Sequence, residues 1–292
     1  MKTWIKKQVK NLLLGKFIKN SLELQKTVYE NCIVSLSEDS VWIYTLMKSG
    51  TTYSLLFLAN YLNYLNGGRT RVSYDEMQLK FILHSMDVKI RNEKIEPFLK
   101  EHKKLTDETQ FPRIIHTHSF IPSNLWSKNI CLYRNPLDFI ISGYYYFYIN
   151  RGINISHPLK IYKELLDHFL TTYKQQVILK ERYPDKVLLI SYEKLMASPK
   201  EVFQKMIEFI GLPCDETGVL QAMEFSSKKQ VKEMEKERGE AIVKKDGIKF
   251  SGSFVRSGKI GEWKEYFNEN DLTEIKNYLS QFEVELDDFT IE

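Results

Sequence analysis

The sequence predicts a single α/β domain in which a central parallel sheet is flanked by helices. Three observations predict this fold: short apolar segments alternate with helical patterns, no repeat or low-complexity linker divides the 292 residues, and 43% of them are hydrophobic. Alternation of strands and helices is typical of a parallel sheet covered on both faces. Ligands of such folds bind at the carboxyl ends of the strands, so functional residues are expected there.

Four short β-branched and aromatic segments predict buried strands over residues 41–45, 113–117, 129–133 and 187–191. Apolar residues at helical spacing predict helices over residues 52–65 and 158–183. A further helix is predicted from Pro199, with Ser198 as its N-cap, Glu201 closing a capping box and Gly211 as its C-terminal stop.

Residues 1–30 are expected to form a basic helical extension in front of a domain over residues 31–292. Six lysines and no acidic residue occupy positions 1–19, and the apolar residues share one helical face only in part. Two alternatives follow: a solvated helix packed on the domain, or contact of residues 1–20 with a membrane surface. Neither a signal peptide nor a spanning segment is predicted, so the expected location is cytoplasmic.

Charge and cysteine content exclude several classes of protein. The 42 basic and 38 acidic residues leave a net charge of +4, which is too small to indicate a nucleic-acid partner, so any basic site is local. Cys32, Cys131 and Cys214 form no C-x-x-C pair, so neither a disulfide framework nor a zinc site is predicted. No metal is expected, because no carboxylate cluster lies beside the phosphate loop described next.

The first predicted strand leads into a loop that is suited to phosphate. An amine, hydroxyl groups and one glycine precede a helix, in the order Lys48, Ser49, Gly50, Thr51, Thr52. Free N–H groups and the dipole at a helix N-terminus favour anions, so the segment predicts a P-loop-like nucleotide-binding core. The lysine precedes the glycine, and the triphosphatase pattern G-x-x-x-x-G-K-[ST] is therefore absent.

This loop resembles the 5′-phosphosulfate loop of the cytosolic, small-molecule type of sulfotransferase, which takes its sulfuryl group from 3′-phosphoadenosine 5′-phosphosulfate (PAPS). That family usually reads Tyr-Pro-Lys-Ser-Gly-Thr-Thr-Trp, so Tyr53 stands where its adenine-stacking Trp does. Two later segments resemble the family's 3′-phosphate contacts, and they contain Arg134 with Ser142, and Arg256 with Ser257 and Gly258. The resemblance also implies adenine contacts by Tyr192, Ser226 and Ser227.

The second predicted strand ends in His116-Thr117-His118, which resembles the family's Lys-Thr-His. The resemblance implies that His118 is the general base that takes the proton of the acceptor, and that Lys48 stabilises the leaving phosphate. His116 stands where the family carries a second lysine, and a charged imidazole would partly substitute for it.

The implied activity is in-line sulfuryl transfer from PAPS to a hydroxyl or amine of a small-molecule or amphiphilic acceptor. The alternatives are a P-loop-type nucleotide kinase and a non-catalytic protein that binds PAPS or adenosine 3′,5′-bisphosphate (PAP). Candidates for the acceptor pocket are Phe81, His84, Phe120, Tyr148 and residues 228–245. The family's dimer motif is not matched after Lys264, so the sequence leaves the oligomeric state open.

Overall fold

The computed structural model describes residues 40–84, 111–120, 127–238 and 256–289, with only the backbone described at residues 79, 83 and 84. The predicted extension over residues 1–30 lies outside these ranges, as do residue 31, where the domain was predicted to begin, and Cys32. Residues 239–245 of the predicted acceptor segment also lie outside them.

Within the described ranges, five parallel strands form one sheet in the order β2-β3-β1-β4-β5. The strands are β1 (Val41–Thr45), β2 (Ile82–His84), β3 (Ile114–Thr117), β4 (Lys128–Tyr133) and β5 (Val187–Ser191). The four predicted strands are confirmed, with the first residue of β3 and of β4 displaced by one position. The sequence did not predict β2, because three residues are too few to show a strand period.

Helices connect and cover these strands. They are α1 (Thr51–Leu65), α2 (Pro136–Gly143), α3 (Tyr162–Arg182), α4 (Tyr192–Ala197), α5 (Pro199–Ile210), α6 (Glu216–Phe225), α7 (Lys228–Arg238) and α8 (Glu269–Ser280). The predicted helix over 158–183 begins as a 3-10 turn, Pro158–Ile161, and continues as α3. A π-helical turn, Tyr144–Tyr148, extends α2. No helix in the described part of the chain is long and apolar enough to cross a membrane.

The predicted capping box of α5 is wrong. The side chain of Ser198 makes no cap hydrogen bond, since this residue also ends α4 and its N–H donates to the carbonyl of Lys194 at 3.0 Å. Its φ of −136° and ψ of 61° lie outside the extended conformation that an N-cap side chain needs. Pro199 at the first position and Gly211 with a φ of 93° do bound the helix as predicted.

The sheet is covered on both faces, which explains its nearly continuous apolar strands. All five residues of β1 are buried. Val41 and Ile43 pack in a cluster with α1, α5 and α6, whereas Tyr44 packs on the other face against Leu179 of α3. Both covering layers leave the carboxyl ends of β1, β3 and β4 side by side, and the chain continues from those ends into the candidate site.

Candidate active site

A cavity of about 490 Å³ opens at the carboxyl ends of the central strands. Fifteen of the predicted site residues line it: Lys48, Gly50, Thr51, Thr52, Tyr53, His116, His118, Arg134, Ser142, Tyr192, Ser226, Ser227, Arg256, Ser257 and Gly258. These residues come from segments that span more than two hundred positions of the chain, and the parallel topology brings them together.

Ser49 is the predicted site residue that does not reach the cavity. Its buried hydroxyl donates to the carbonyls of Leu46, at 2.5 Å, and Leu132, at 3.2 Å. The side chain therefore ties the loop to β4. The hydroxyl of Ser226 is similarly engaged, since it donates to the carbonyl of Ala222 at 2.7 Å.

The backbone of the loop adopts an unusual conformation. Lys48 has a φ of 66°, which a residue with a side chain rarely adopts and which often marks a functional site. Gly50 has a φ of 87° at the start of α1, and a Cβ there would lie 2.9 Å from Cδ2 of Tyr192. The first turn of α1 contains no acidic residue, so no carboxylate within that turn competes with an anion for the positive end of the helix dipole.

Among the described residues, four cationic side chains line the cavity: Lys48, Arg134, Lys228 and Arg256. Burial, together with the positive charges of Arg134 and Arg256, lowers the pKa of Lys48 to about 8. The Nζ of Lys48 lies 4.2 Å from the ring centroid of Tyr146. Gathering like charges in a partly buried site is unfavourable by itself, so the arrangement is suited to a multiply charged anion.

Arg134 is held rigidly beneath the loop. It is 6% exposed, donates to the carbonyls of Lys48 at 3.3 Å and Lys259 at 2.9 Å, and lies 4.4 Å from the ring centroid of Tyr192. Its buried Nε has no hydrogen-bond partner among the described residues. A buried guanidinium with a donor to spare is suited to an oxygen anion.

Arg256 is paired with a carboxylate that the sequence analysis did not single out. Its two terminal nitrogens donate to Glu262 at 2.6 and 2.5 Å, and Ser257 donates to the same carboxylate at 2.8 Å. Burial alone would raise the pKa of Glu262, but the hydrogen bonds from Arg256 and Ser257 outweigh it and lower that pKa. The guanidinium also lies 4.1 Å from the ring centroid of Tyr145.

The segment around Arg256 is anchored to α2 through Asp138. The carboxylate of Asp138, in the first turn of α2, accepts hydrogen bonds from the N–H groups of Gly261 at 2.7 Å and Trp263 at 3.3 Å. Tyr192 adds a hydrogen bond to the carbonyl of Gly258 at 3.2 Å. These contacts join residues that are far apart in the sequence, 123 positions for Asp138 and Gly261, so no local pattern indicated them.

The two histidines meet at Thr45, the last residue of β1. Its Oγ1 lies 3.0 Å from Nε2 of His116 and 3.0 Å from Nδ1 of His118, and it accepts from Oγ1 of Thr51 at 3.0 Å. Nδ1 of His118 also lies 3.0 Å from the carbonyl of Thr45. Since β1 and β3 are adjacent parallel strands, their carboxyl-terminal residues are neighbours. The polar end of the first predicted strand is the sequence signal that could have singled out Thr45.

The predicted acceptor residues are mostly misplaced. Phe81 and Phe120 are buried in apolar clusters, and Tyr148 packs against the apolar cluster between α2 and α3, so none of these three lines the cavity. Large aromatic side chains are stabilised by burial in the core, and the sequence alone does not show which of them are buried there. Elsewhere the cavity is lined by Met47, Tyr74, Met77, Gln78, Ile82, Tyr146 and Asn150, and by Lys228 and Val231 of α7. The side chain of His84 is not described.

In the described ranges, no group of three or more His, Cys, Asp or Glu side chains could hold a metal ion.

The fold and the site define an α/β protein whose cavity is suited to an anionic ligand. The chain belongs to the sulfotransferase domain family, whose model matches residues 38–286. It is therefore a sulfotransferase, an enzyme that transfers sulfuryl groups.

Two relatives match over most of their length. The chain is 26% identical over 245 residues to Sulfotransferase 1 family member D1 of Mus musculus, which covers 78% of this chain and 78% of that protein. It is also 26% identical over 268 residues to Sulfotransferase 1B1 of Mus musculus, covering 86% and 83% respectively.

Two solved structures share the fold. Retinol dehydratase, crystallised with androsterone and the inactive cofactor PAP, aligns with a TM-score of 0.60 at 18% identity over 92% of this chain and 86% of that one. Mouse sulfotransferase SULT7A1, crystallised with PAP, aligns with a TM-score of 0.50 at 16% identity over 84% of each chain.

Proposed function

We propose that this sulfotransferase takes its sulfuryl group from PAPS and passes it to a hydroxyl or amine of a small acceptor. The observation that carries the proposal is the convergence of Lys48, Arg134 and Arg256 in one cavity with His118 at its wall. Three cations and a helix N-terminus suit a donor with two phosphate groups and a sulfate.

The described residues fit such a donor. Lys48 and the N–H groups of the turn at Gly50 are suited to the 5′-phosphosulfate, and the spare Nε of Arg134 is suited to the 3′-phosphate. The aromatic rings of Tyr53 and Tyr192 offer apolar surface for the adenine. Both solved relatives named above hold PAP, which is the product that PAPS leaves after transfer.

The reaction is a displacement at sulfur. The acceptor oxygen or nitrogen forms a bond to sulfur while the bond from sulfur to the phosphate oxygen breaks, and the electron pair of that bond stays with the phosphate. His118 takes the proton that the acceptor loses, and the ammonium of Lys48 stabilises the charge that develops on the leaving phosphate. Catalysis then consists mainly of positioning and charge stabilisation, as in phosphoryl transfer.

The apolar and aromatic wall of the cavity indicates the kind of acceptor. Met47, Met77 and Ile82 are apolar, and Tyr74 and Tyr146 add aromatic rings. Such a wall binds an acceptor with an apolar or aromatic body and leaves its hydroxyl or amine facing His118. A small-molecule acceptor is therefore part of the proposal.

The experiment incubates the purified protein with PAPS and a panel of phenols, aliphatic alcohols, steroids and amines, and detects products heavier by one SO₃ group. We expect transfer with PAPS and none with ATP. His118→Ala should lower kcat by about a hundredfold or more while PAP still binds. PAP binding without transfer to any acceptor would favour a non-catalytic binding protein, and ATP-dependent transfer would favour a kinase.

A further inference from the structure

The hydroxyl of Thr45 has a hydrogen-bonding arrangement that determines where the protons of two histidines lie. Thr45 is fully buried, and its Oγ1 has three partners at 3.0 Å: Oγ1 of Thr51, Nε2 of His116 and Nδ1 of His118. A hydroxyl has one proton to donate and two lone pairs with which to accept. Its three partners therefore use its full capacity if two of them donate to Oγ1 and the third accepts its proton.

The carbonyl of Thr45 fixes the first of these roles. It lies 3.0 Å from Nδ1 of His118, and a carbonyl oxygen can only accept. Nδ1 of His118 must therefore carry a proton, which it shares between the carbonyl and Oγ1 of the same residue. In a neutral imidazole the lone pair then lies on Nε2, the nitrogen on the opposite side of the ring from Thr45.

The role of His116 follows from the hydrogen-bonding capacity that Thr45 has left. Thr51 and His118 both donate to Oγ1 of Thr45, so its two lone pairs are used. The proton of Thr45 is left for Nε2 of His116, which must accept it. An imidazolium at His116 would bring a third donor to this oxygen and leave the proton of Thr45 without its acceptor.

We propose that Thr45 is a positioning residue that holds a proton on Nδ1 of His118 and keeps His116 a neutral imidazole, also with its proton on Nδ1. His118 is thereby set with its basic Nε2 directed away from Thr45, and the carbonyl of Thr45 stabilises the positive charge that the ring gains on taking a proton. His116 does not act as a cation in place of the family's second lysine, and Lys48 carries that task alone. The catalytic part of this inference rests on the proposed function.

The tautomers can be measured without donor or acceptor. Long-range ¹H–¹⁵N spectra of the full-length protein at neutral pH distinguish protonated from unprotonated ring nitrogens, and His116→Gln and His118→Ala assign the two rings. We expect both residues to show an unprotonated Nε2. Because this readout needs no turnover, its failure is separate from a failure of the proposed sulfuryl transfer.

A matched pair of variants tests the role of the hydroxyl. Thr45→Val keeps the shape and the carbonyl but removes Oγ1, whereas Thr45→Ser keeps both polar groups. In the valine variant we expect His116 to take the Nε2-protonated tautomer that free histidine favours, and kcat to fall roughly tenfold to hundredfold. The KM for PAPS and the affinity for PAP should stay within about twofold, because Thr45 acts through the histidines rather than on the donor. The serine variant should restore the wild-type values.

Two results would overturn the proposal: a protonated Nε2 on neutral His118 or on His116 in the wild-type protein, or an unchanged kcat in Thr45→Val. A fall in kcat accompanied by equal losses of PAP affinity and thermal stability would also contradict it, since that pattern indicates a structural role alone. If the valine variant does not fold, the tautomers measured in the wild-type protein still test the proposal.

Discussion

Arg256 and Glu262 form a two-pronged ion pair, with nitrogen to oxygen distances of 2.6 and 2.5 Å. The carboxylate is only 8% exposed, and it also accepts from Ser257. A pair of this geometry fixes the plane of the guanidinium and orders the segment that carries it. Glu262 thus holds the guanidinium of Arg256 in place at the cavity, where we propose that it binds the 3′-phosphate.

Replacing Glu262 should weaken donor binding although it removes a negative charge near an anion. In Glu262→Ala the guanidinium of Arg256 and the hydroxyl of Ser257 lose their partner, and we expect the Kd for PAP to rise by about tenfold. Glu265→Ala is the matched control, because its exposed side chain pairs only with Lys259, at 3.7 Å, among the described residues. Calorimetric titration measures both. Tighter binding in Glu262→Ala would mean that the ion pair competes with the donor.

Gly50 is expected to be irreplaceable by alanine for two separable reasons. Its φ of 87° strains any side chain, and a Cβ would approach Cδ2 of Tyr192 to 2.9 Å and Cδ2 of Leu195 to 3.2 Å. Gly67 is a matched control, with a φ of 82° and nothing within 4 Å of a Cβ. Gly67→Ala should cost about 1–2 kcal/mol in unfolding free energy from strain alone. Gly50→Ala should cost more and also weaken PAP binding, because Tyr192 is displaced. Equal stabilities and unaltered PAP affinity would show that the close approach does not matter.

Donor affinity should depend on the charge of Lys48. Burial, followed by Arg134 and Arg256, lowers its pKa to about 8, so the ammonium of the donor-free protein loses its proton as the pH rises through that value. The affinity for PAP should therefore be highest below the pKa and fall above it. Lys48→Arg keeps its charge, so its affinity should stay level from about pH 7 to about pH 9.5. Titrations across that range measure the difference, and parallel curves for both proteins would contradict the assignment.

The same pKa has a consequence for stability. The pKa of Lys48 is lower in the folded state than in the unfolded state. Below about pH 8 the buried charge therefore reduces the free energy of unfolding, and this reduction disappears as the pH rises toward the unfolded pKa. Lys48→Met should therefore raise the Tm at neutral pH while abolishing transfer. A lower Tm in this variant would show that the lysine stabilises the fold.

Tyr146 is expected to position the ammonium of Lys48. Nζ lies 4.2 Å from the centroid of its ring, a distance at which the ring face attracts a cation. Tyr146→Leu removes that attraction, worth about 0.5–2 kcal/mol, and should lower kcat/KM by about twofold to thirtyfold. Tyr146→Phe keeps the ring and serves as the control. Steady-state kinetics with PAPS decide, and an equal loss in both variants would assign the effect to the phenol hydroxyl.

Much of the fold could be predicted because its signals are local. The strands at 41–45 and 187–191 are short apolar segments bounded by polar residues, and their ends match the prediction residue for residue. Two local features were not predicted correctly. The strand β2 was missed because it has only three residues, and the cap at Ser198 was wrong because two helices share that residue. A residue that serves two helices cannot meet the conformational demands of both.

Most of the predicted residues of the candidate site do line the cavity, but the contacts between them could not be predicted from the sequence. Lys48, Arg134 and Arg256 stand in recognisable segments, whereas the partnership of Asp138 with Gly261 joins residues 123 positions apart. Phe81 and Phe120 were expected in a pocket because the resemblance to the family implies an acceptor site in that part of the chain, but both are buried in the core. Contacts between distant segments depend on how the strands order themselves, and a single sequence does not display that order.

The most direct test compares calorimetric binding of PAP with that of adenosine 5′-monophosphate, which differs only by lacking the 3′-phosphate. Arg134 and Arg256 are assigned to that phosphate, so we expect the monophosphate to bind at least about a hundredfold more weakly to the wild-type protein. In Arg134→Ala and Arg256→Ala this preference should largely disappear. Equal affinity of the wild-type protein for the two nucleotides, or no binding of PAP, would contradict the assignment of this cavity to PAPS.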